Sequence, residues 1–298
     1  LRAKHIEPFV TLHHFTSPVW FMDGGGWESS DASEHFSRFV QKVAEEFGDL
    51  VEYWITFNEP NVYAAHGWLF AKWTPQKRDS IAFLKVTWHL AASHKQAYKI
   101  LHKVCNDPQV GIGQSIIGYY PSRAHYPLDR LLSILTRWLW NYLFLDITKK
   151  YVDFIGVQYY FSQGKKFSLF PPFIGSGNTK NLPVSDMSWS IDPDAFGKEL
   201  KRVYARYGIP LYVTENGVAD AKDAMRGVFI HDHIQAMKDA RTAGVDIRGY
   251  FYWSLLDNFE WTEGFDSQFG LIHVDRITKK RTPRSSAYVY QRIIEEGL

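Results

Sequence analysis

Two glutamates stand out because of where their strands stop. In "WITFNEP" (54–60) an apolar run, Trp54 to Phe57, ends on Asn58, Glu59 and Pro60. In "PLYVTENG" (210–217) a second apolar run ends on Glu215, with Asn216 beside it. A carboxylate is among the costliest groups to bury unpaired, so a buried strand ending on one points to a cleft rather than a core. One such glutamate has a bland reading, as the ion-pair partner of an arginine. Two of them, each at a strand end and each next to an amide, argue for chemistry. Carboxyl groups about 5 Å apart support retaining glycoside hydrolysis, in which one protonates the leaving oxygen and the other attacks the anomeric carbon. A gap of roughly 6.5–9.5 Å would instead admit a water and an inverting route.

The elements that must position them alternate along the chain. "PFVTLHH" (8–14) reads as a strand, and "SEHFSRFVQKVAEEFG" (33–48) repeats Phe36, Phe39, Val40, Val43 and Phe47 at helical spacing. Asp31 or Ser33 is a candidate N-cap and Gly48 a stop. The strand "YWITFNEP" is followed by a helix over 79–104. "VGIGQSII" (110–117) and "DFIGVQYY" (153–160) are strands separated by the helical stretch 128–151. "PLYVTENG" precedes a helix over 224–243, and the strand "RGYFYWSL" (248–255) precedes a final helix over 284–296. The strands are near-continuously apolar, as parallel strands covered on both faces must be. Strand–helix alternation predicts a parallel α/β fold of six units in a single domain, residues 1–298. The segment 162–186, rich in Gly, Pro and Ser, reads as a long loop of that domain. His14, Glu59, Tyr160, Glu215 and Trp253 all fall at or just past a strand's C-terminal end, the end that carries the active site in a (β/α)8 barrel.

Composition narrows the classes. With 298 residues, 22% charged and a net charge of +2, the chain shows no surface for nucleic acid or anionic membranes. Cys105 is the only cysteine, which excludes an internal disulfide and thiolate metal clusters, and suggests a reducing, cytoplasmic setting. No apolar run reaches the ~18 residues of a membrane span, and "LRAKHIEPFV" carries no signal-peptide pattern. Aromatics reach 16%, which fits either a large core or a cleft whose ring faces stack on sugars.

Three other motifs carry little. "GIGQSIIG" (111–118) places its third glycine too late for a dinucleotide site. "HDH" (231–233) lies in a helical stretch, where residues two apart face different sides, so no metal is expected there. "GGG" (24–26) reads as a structural loop.

"TFNEP" and "YVTENG" resemble the acid/base and nucleophile motifs of glycoside hydrolase family 1, the β-glucosidase family. "TLHHF" (11–15), "DFIGVQYY", "YFYWSLLDNFEW" (250–261) and the tail 269–290 are similar to it too, so the likeness covers essentially the whole chain. The resemblance implies a (β/α)8 barrel that hydrolyses unphosphorylated β-D-glucosides and related β-glycosides from the non-reducing end, without cofactor or metal. It implies Glu59 as acid/base and Glu215 as nucleophile. Asn58 would bind the sugar 2-OH and His14 the 3-OH, and Tyr160 would touch the nucleophile. Trp253 would stack under the sugar, Trp261 would bond at its far edge, and Glu260 would accept from the 4-OH and 6-OH. A carboxylate at Glu260 would repel a 6-phosphate.

Two departures stand against the pattern. Gln158 occupies a position where the family usually has Asn. The chain also opens at the strand that the family counts as its third. The first two units, with a sugar-binding glutamine and an arginine beside the nucleophile, have no counterpart in it. Six strands alone leave two sheet edges. Three readings fit: part of a longer chain, a fragment completed by an N-terminal segment or second chain, or a six-unit variant. The rival function is an inactive barrel fragment that binds sugars or small apolar ligands in an aromatic cleft. A cellulase-like endo-acting barrel is a second rival, against which "YVTENG" and "NFEW" argue.

Overall fold

In a computed structural model, which describes residues 1–170 and 174–297, the chain forms two compact units. The first comprises Leu1–Ser115 with Tyr142–Gly156, the second Ile116–Asn141 with Val157–Leu298.

The first unit is built on parallel strands Phe9–His13, Tyr53–Asn58 and Gln109–Ser115, in that order. Val10 pairs with Trp54 and Trp54 with Val110, so the three strands share one register at that level. Every residue of the central strand beyond Tyr53 is buried, which is why its sequence is apolar without alternation. Helices Ala32–Phe47 and Ser80–Val104 pack against each other on the outside. Asp79 caps the second, accepting from the backbone N–H of Ile81 and Ala82. In the first helix Phe36 and Val40 are buried, but Phe39 and Phe47 face solvent, so its apolar stripe is wider than the face the unit covers. Gly111 is required by close approach: a Cβ there would lie 2.5 Å from the Phe154 ring.

The second unit holds parallel strands Leu211–Asn216 and Ile247–Tyr252 and the end of strand Phe154–Tyr159. Leu211 pairs with Ile247 and Val213 with Tyr250, with a register shift on each side of Val213. Helices Pro193–Tyr207 and Arg226–Thr242 pack together, and Ser285–Glu295 lies against the latter. Asp192 caps the first of these through the N–H of Ala195. Strand Ile247–Tyr252 exposes Arg248 and Phe251, unlike the fully buried Phe154–Tyr159.

One sequence expectation needs correction here. The segment 162–186 is not a plain loop: Ser162–Phe167 and Ile174–Gly177 form an antiparallel pair, joined on the other side by Gly118–Pro121. Its residues 171–173 lie outside the described residues. The stretch 128–151 is helical as expected, continuous through Pro127–Arg137, a wider π-helical turn at Trp138–Tyr142 and Leu143–Thr148. Each of the six parallel strands is nonetheless followed by helix before the next begins, as the alternation predicts.

Candidate active site

In the first unit, His14 directly follows strand Phe9–His13, and Asn58 and Glu59 end strand Tyr53–Asn58. Between Ile55 and Asn58 the pairing with Gln109–Ser115 shifts register, a local irregularity that re-aims the last side chains of the strand. Glu59 has φ 40° and ψ 59°, the left-handed region that a residue with a Cβ seldom visits. Its backbone is held there: its N–H donates to Gly113 O over 2.7 Å, and its C=O accepts from Tyr63 N–H over 2.9 Å. Pro60, at the first position of the helical turn Pro60–Ala64, disfavours the right-handed helical conformation for the residue before it. The carboxylate-bearing residue is 9% exposed.

Asn58 Nδ2 donates to His14 Nε2 over 3.1 Å. Burial pulls the His14 imidazole down to about 4, so it is neutral at ordinary pH. Beneath it, burial first and then the neighbouring His14 bring His13 down to about 3, and His13 Nε2 lies 3.3 Å from Ser17 Oγ.

In the second unit, Glu215 is the penultimate residue of strand Leu211–Asn216 and is 8% exposed. Gln158 Nε2 donates to its Oε1 and the Tyr160 hydroxyl to its Oε2, each over 2.7 Å. One donor on each oxygen is the complement of a carboxylate anion, which only accepts. The Tyr160 ring is braced edge-on by Trp189 and Phe269.

Asn216 behaves differently from Asn58, although both sit beside a glutamate. Its Nδ2 donates to Tyr159 O over 2.6 Å, and its Oδ1 accepts from the Tyr250 hydroxyl over 2.8 Å. It is a fully buried tie between strands, so the shared amide neighbour in the sequence hides two separate roles.

Trp253 follows strand Ile247–Tyr252, its N–H donating to Asn216 O over 3.0 Å. The strand ends approach so closely that a Cβ at Gly217 would lie 2.0 Å from the Trp253 carbonyl oxygen. Trp253 Nε1 and Asn258 Nδ2 donate to Glu260 Oε2 over 3.4 and 3.1 Å. Burial pushes the Glu260 carboxyl above the usual carboxylate range, and these two bonds oppose the shift without cancelling it. Trp261 follows at φ 48°.

This loop is fastened from behind by a pair that the sequence did not announce. Arg284 NH1 and NH2 donate to Asp257 Oδ1 and Oδ2 over 2.9 and 3.0 Å. Gly270 N–H and Val274 N–H add to the same carboxylate. Burial would raise the Asp257 carboxyl, but the Arg284 hydrogen bonds and charge outweigh it and hold it low.

His231 is exposed and His233 is buried in helix Arg226–Thr242, on different sides as their spacing requires. Among the described residues, no group of three or more His, Cys, Asp and Glu side chains is placed to hold a metal, and no helix is long and apolar enough to cross a membrane.

Residues 1–150 and 144–297 match the family described as Glycosyl hydrolase family 1. A 1,4-beta-D-glucan glucohydrolase of Thermotoga neapolitana is 31% identical over 338 residues, spanning 100% of this chain and 76% of that protein. A beta-galactosidase of Sulfolobus acidocaldarius is 33% identical, spanning 98% of this chain and 67% of its own length. In structure the chain is similar to the beta-glucosidase from Thermotoga maritima in complex with glucoimidazole. The TM-score is 0.92 at 30% identity, with 99% of this chain and 75% of that one covered. The chain belongs to glycosyl hydrolase family 1: it is a β-glycosidase built from six strand–helix units of a (β/α)8 barrel.

Proposed function

We propose that the protein is a retaining exo-β-glycosidase acting on unphosphorylated β-D-glucosides and related β-glycosides, with Glu215 as nucleophile and Glu59 as acid/base. The observation that carries the reading is the setting of Glu215, whose Oε1 accepts from the buried Gln158 amide and whose Oε2 accepts from the half-buried Tyr160 hydroxyl, each over 2.7 Å. A carboxylate so held is fixed in orientation for attack on a carbon.

In the first step a Glu215 oxygen bonds to the anomeric carbon while the bond to the aglycone oxygen breaks, and Glu59 gives that oxygen its proton. In the second step Glu59 takes a proton from water, the water oxygen bonds to the anomeric carbon, and the ester to Glu215 breaks. Two inversions restore the starting configuration. Asn58 and His14, joined at 3.1 Å, offer polar atoms to the ring hydroxyls. Trp253 offers its ring face, while Glu260 accepts from the 4-OH and 6-OH. A phosphate on the 6-position would bring like charge against the Glu260 carboxylate, which supports plain sugars as substrates. The relatives above, a glucan glucohydrolase, a beta-galactosidase and a beta-glucosidase, support a β-glycoside substrate.

The test is incubation with a 2-deoxy-2-fluoro-β-glucoside, then intact mass and peptide mapping. One adduct on Glu215 is the expected result. An adduct on another residue, or none on folded and saturated protein, would overturn the assignment.

A further inference from the structure

Strand Phe154–Tyr159 points Gln158 and, just past its end, Tyr160 to one side, since residues two apart share a face. Both donors reach Glu215, one to each oxygen, at 2.7 Å. The intervening Tyr159 is tied the other way, its carbonyl accepting from Asn216 Nδ2. Gln158 is 1% exposed and its own carbonyl accepts from Ile116 N–H over 2.8 Å, so backbone and side chain are both held.

We infer that Gln158 is a positioning residue for the nucleophile: its carboxamide N–H fixes the plane of the Glu215 carboxylate and stabilises its anionic form. The inference rests on Glu215 being the nucleophile. A hydrogen bond to a carboxylate is stronger than one to an ester, so the Gln158 contact weakens when Glu215 bonds to the sugar and returns when it leaves. Gln158 therefore serves the departure of Glu215 in the second step as much as its readiness in the first. Tyr160 holds the other oxygen and keeps the carboxylate in place when Gln158 is removed, so the two contributions separate by mutation.

The test uses Gln158→Met, which keeps length and loses the donor, and Gln158→Asn, which keeps the donor on a side chain one methylene shorter. The readouts are the pH profile of kcat/KM on an aryl β-glucoside and the rate at which the 2-fluoro-glycosyl-enzyme reactivates. In Gln158→Met the acid limb is expected to move up by about one pH unit, because the anion has lost a charge-assisted hydrogen bond. Reactivation is expected to slow by roughly tenfold, as the departing carboxylate loses the same bond. Gln158→Asn is expected to show both effects more weakly, and it serves as the measured variant if Gln158→Met does not fold. A residue that only packs would lower the folded fraction and leave both readouts of the remaining enzyme unchanged. An acid limb and reactivation rate equal to the parent's in a folded variant overturn the role of Gln158. If the parent itself carries no adduct on Glu215, the reading of the nucleophile falls instead, and the two failures are distinct.

Discussion

Asn58 Nδ2 donates to His14 Nε2 over 3.1 Å, joining the ends of two neighbouring strands. With Nε2 accepting and the ring kept neutral by burial, the tautomer carries its hydrogen on Nδ1. In the proposed site a sugar hydroxyl that replaces this bond would meet the Asn58 donor and the His14 acceptor. His14→Ala is expected to raise KM by roughly 2–10-fold, the worth of one hydrogen bond between neutral partners, with a smaller change in kcat. Initial rates across substrate concentration check this. A change in kcat alone would count against a binding role.

Glu59→Ala should separate substrates by leaving group. Loss of a general acid costs about 10²–10⁴-fold when the aglycone needs a proton, and far less when it leaves as a stable phenolate. Azide, which needs no general base, is expected to restore turnover and give a β-glycosyl azide. Kinetics on an alkyl glucoside and a dinitrophenyl glucoside, with and without azide, provide the measurement. Equal losses on both without rescue would refute the acid/base role.

The Asp257–Arg284 pair anchors the loop that carries Glu260 and Trp261. Asp257→Ala leaves a buried guanidinium uncompensated, and the expected destabilisation is about 3–5 kcal/mol. Urea unfolding at neutral pH reads this directly. Where the variant folds, KM should rise for glucosides, because the Glu260 loop has lost its fastening.

Acid should unfold the protein through its buried imidazoles. Burial brings His13 and His94 down to about 3 and His233 to about 4, against ~6.5 in an unfolded chain. Their stabilising effect is complete above pH ~6.5 and is lost as pH falls below it, because the unfolded state then binds protons that the folded state refuses. Each contributes a slope of about 1.4 kcal/mol per pH unit near pH 5. His94 shows why: Thr56 Oγ1 and Tyr151 O lie 2.7 Å from its two nitrogens, a pairing that one neutral tautomer satisfies. Urea midpoints between pH 7 and 5 should fall steadily, and His94→Gln should remove about one proton from the dependence. A flat profile would contradict this.

Gly217→Ala places a methyl where the Trp253 carbonyl already stands. The strand end must move, and Trp253 moves with it. A displacement near 1 Å at a substrate platform can cost ~10²-fold in kcat/KM, against a stability loss of about 1–3 kcal/mol. Thermal melts beside kinetics check the ratio.

The strands and their helices were legible because burial on both faces leaves an unbroken apolar run, as in Phe154–Tyr159. The paired strands inside 162–186 were not, because Gly, Pro and Ser punctuate them and they present no continuous apolar face. The turn at Trp138–Tyr142 was hidden by helical periodicity that continues on both sides of it. The placing of Glu59 and Glu215 at strand ends could be read from the apolar runs before them. Gln158 showed only as a departure from a pattern, and its contact with Glu215 joins residues 57 apart, which no periodicity reports. Asp257 and Arg284 stand 27 residues apart, and their pairing is a property of the folded chain alone.

Glu59 occupies a backbone conformation in which glycine or asparagine would sit more easily. Holding a side-chain-bearing residue there costs on the order of 1–3 kcal/mol, set against the rest of the unit. Selection for folding alone would therefore drift away from glutamate at this position, whereas selection for turnover would retain it. The torsion angle at residue 59 thus records which of the two demands the sequence answers.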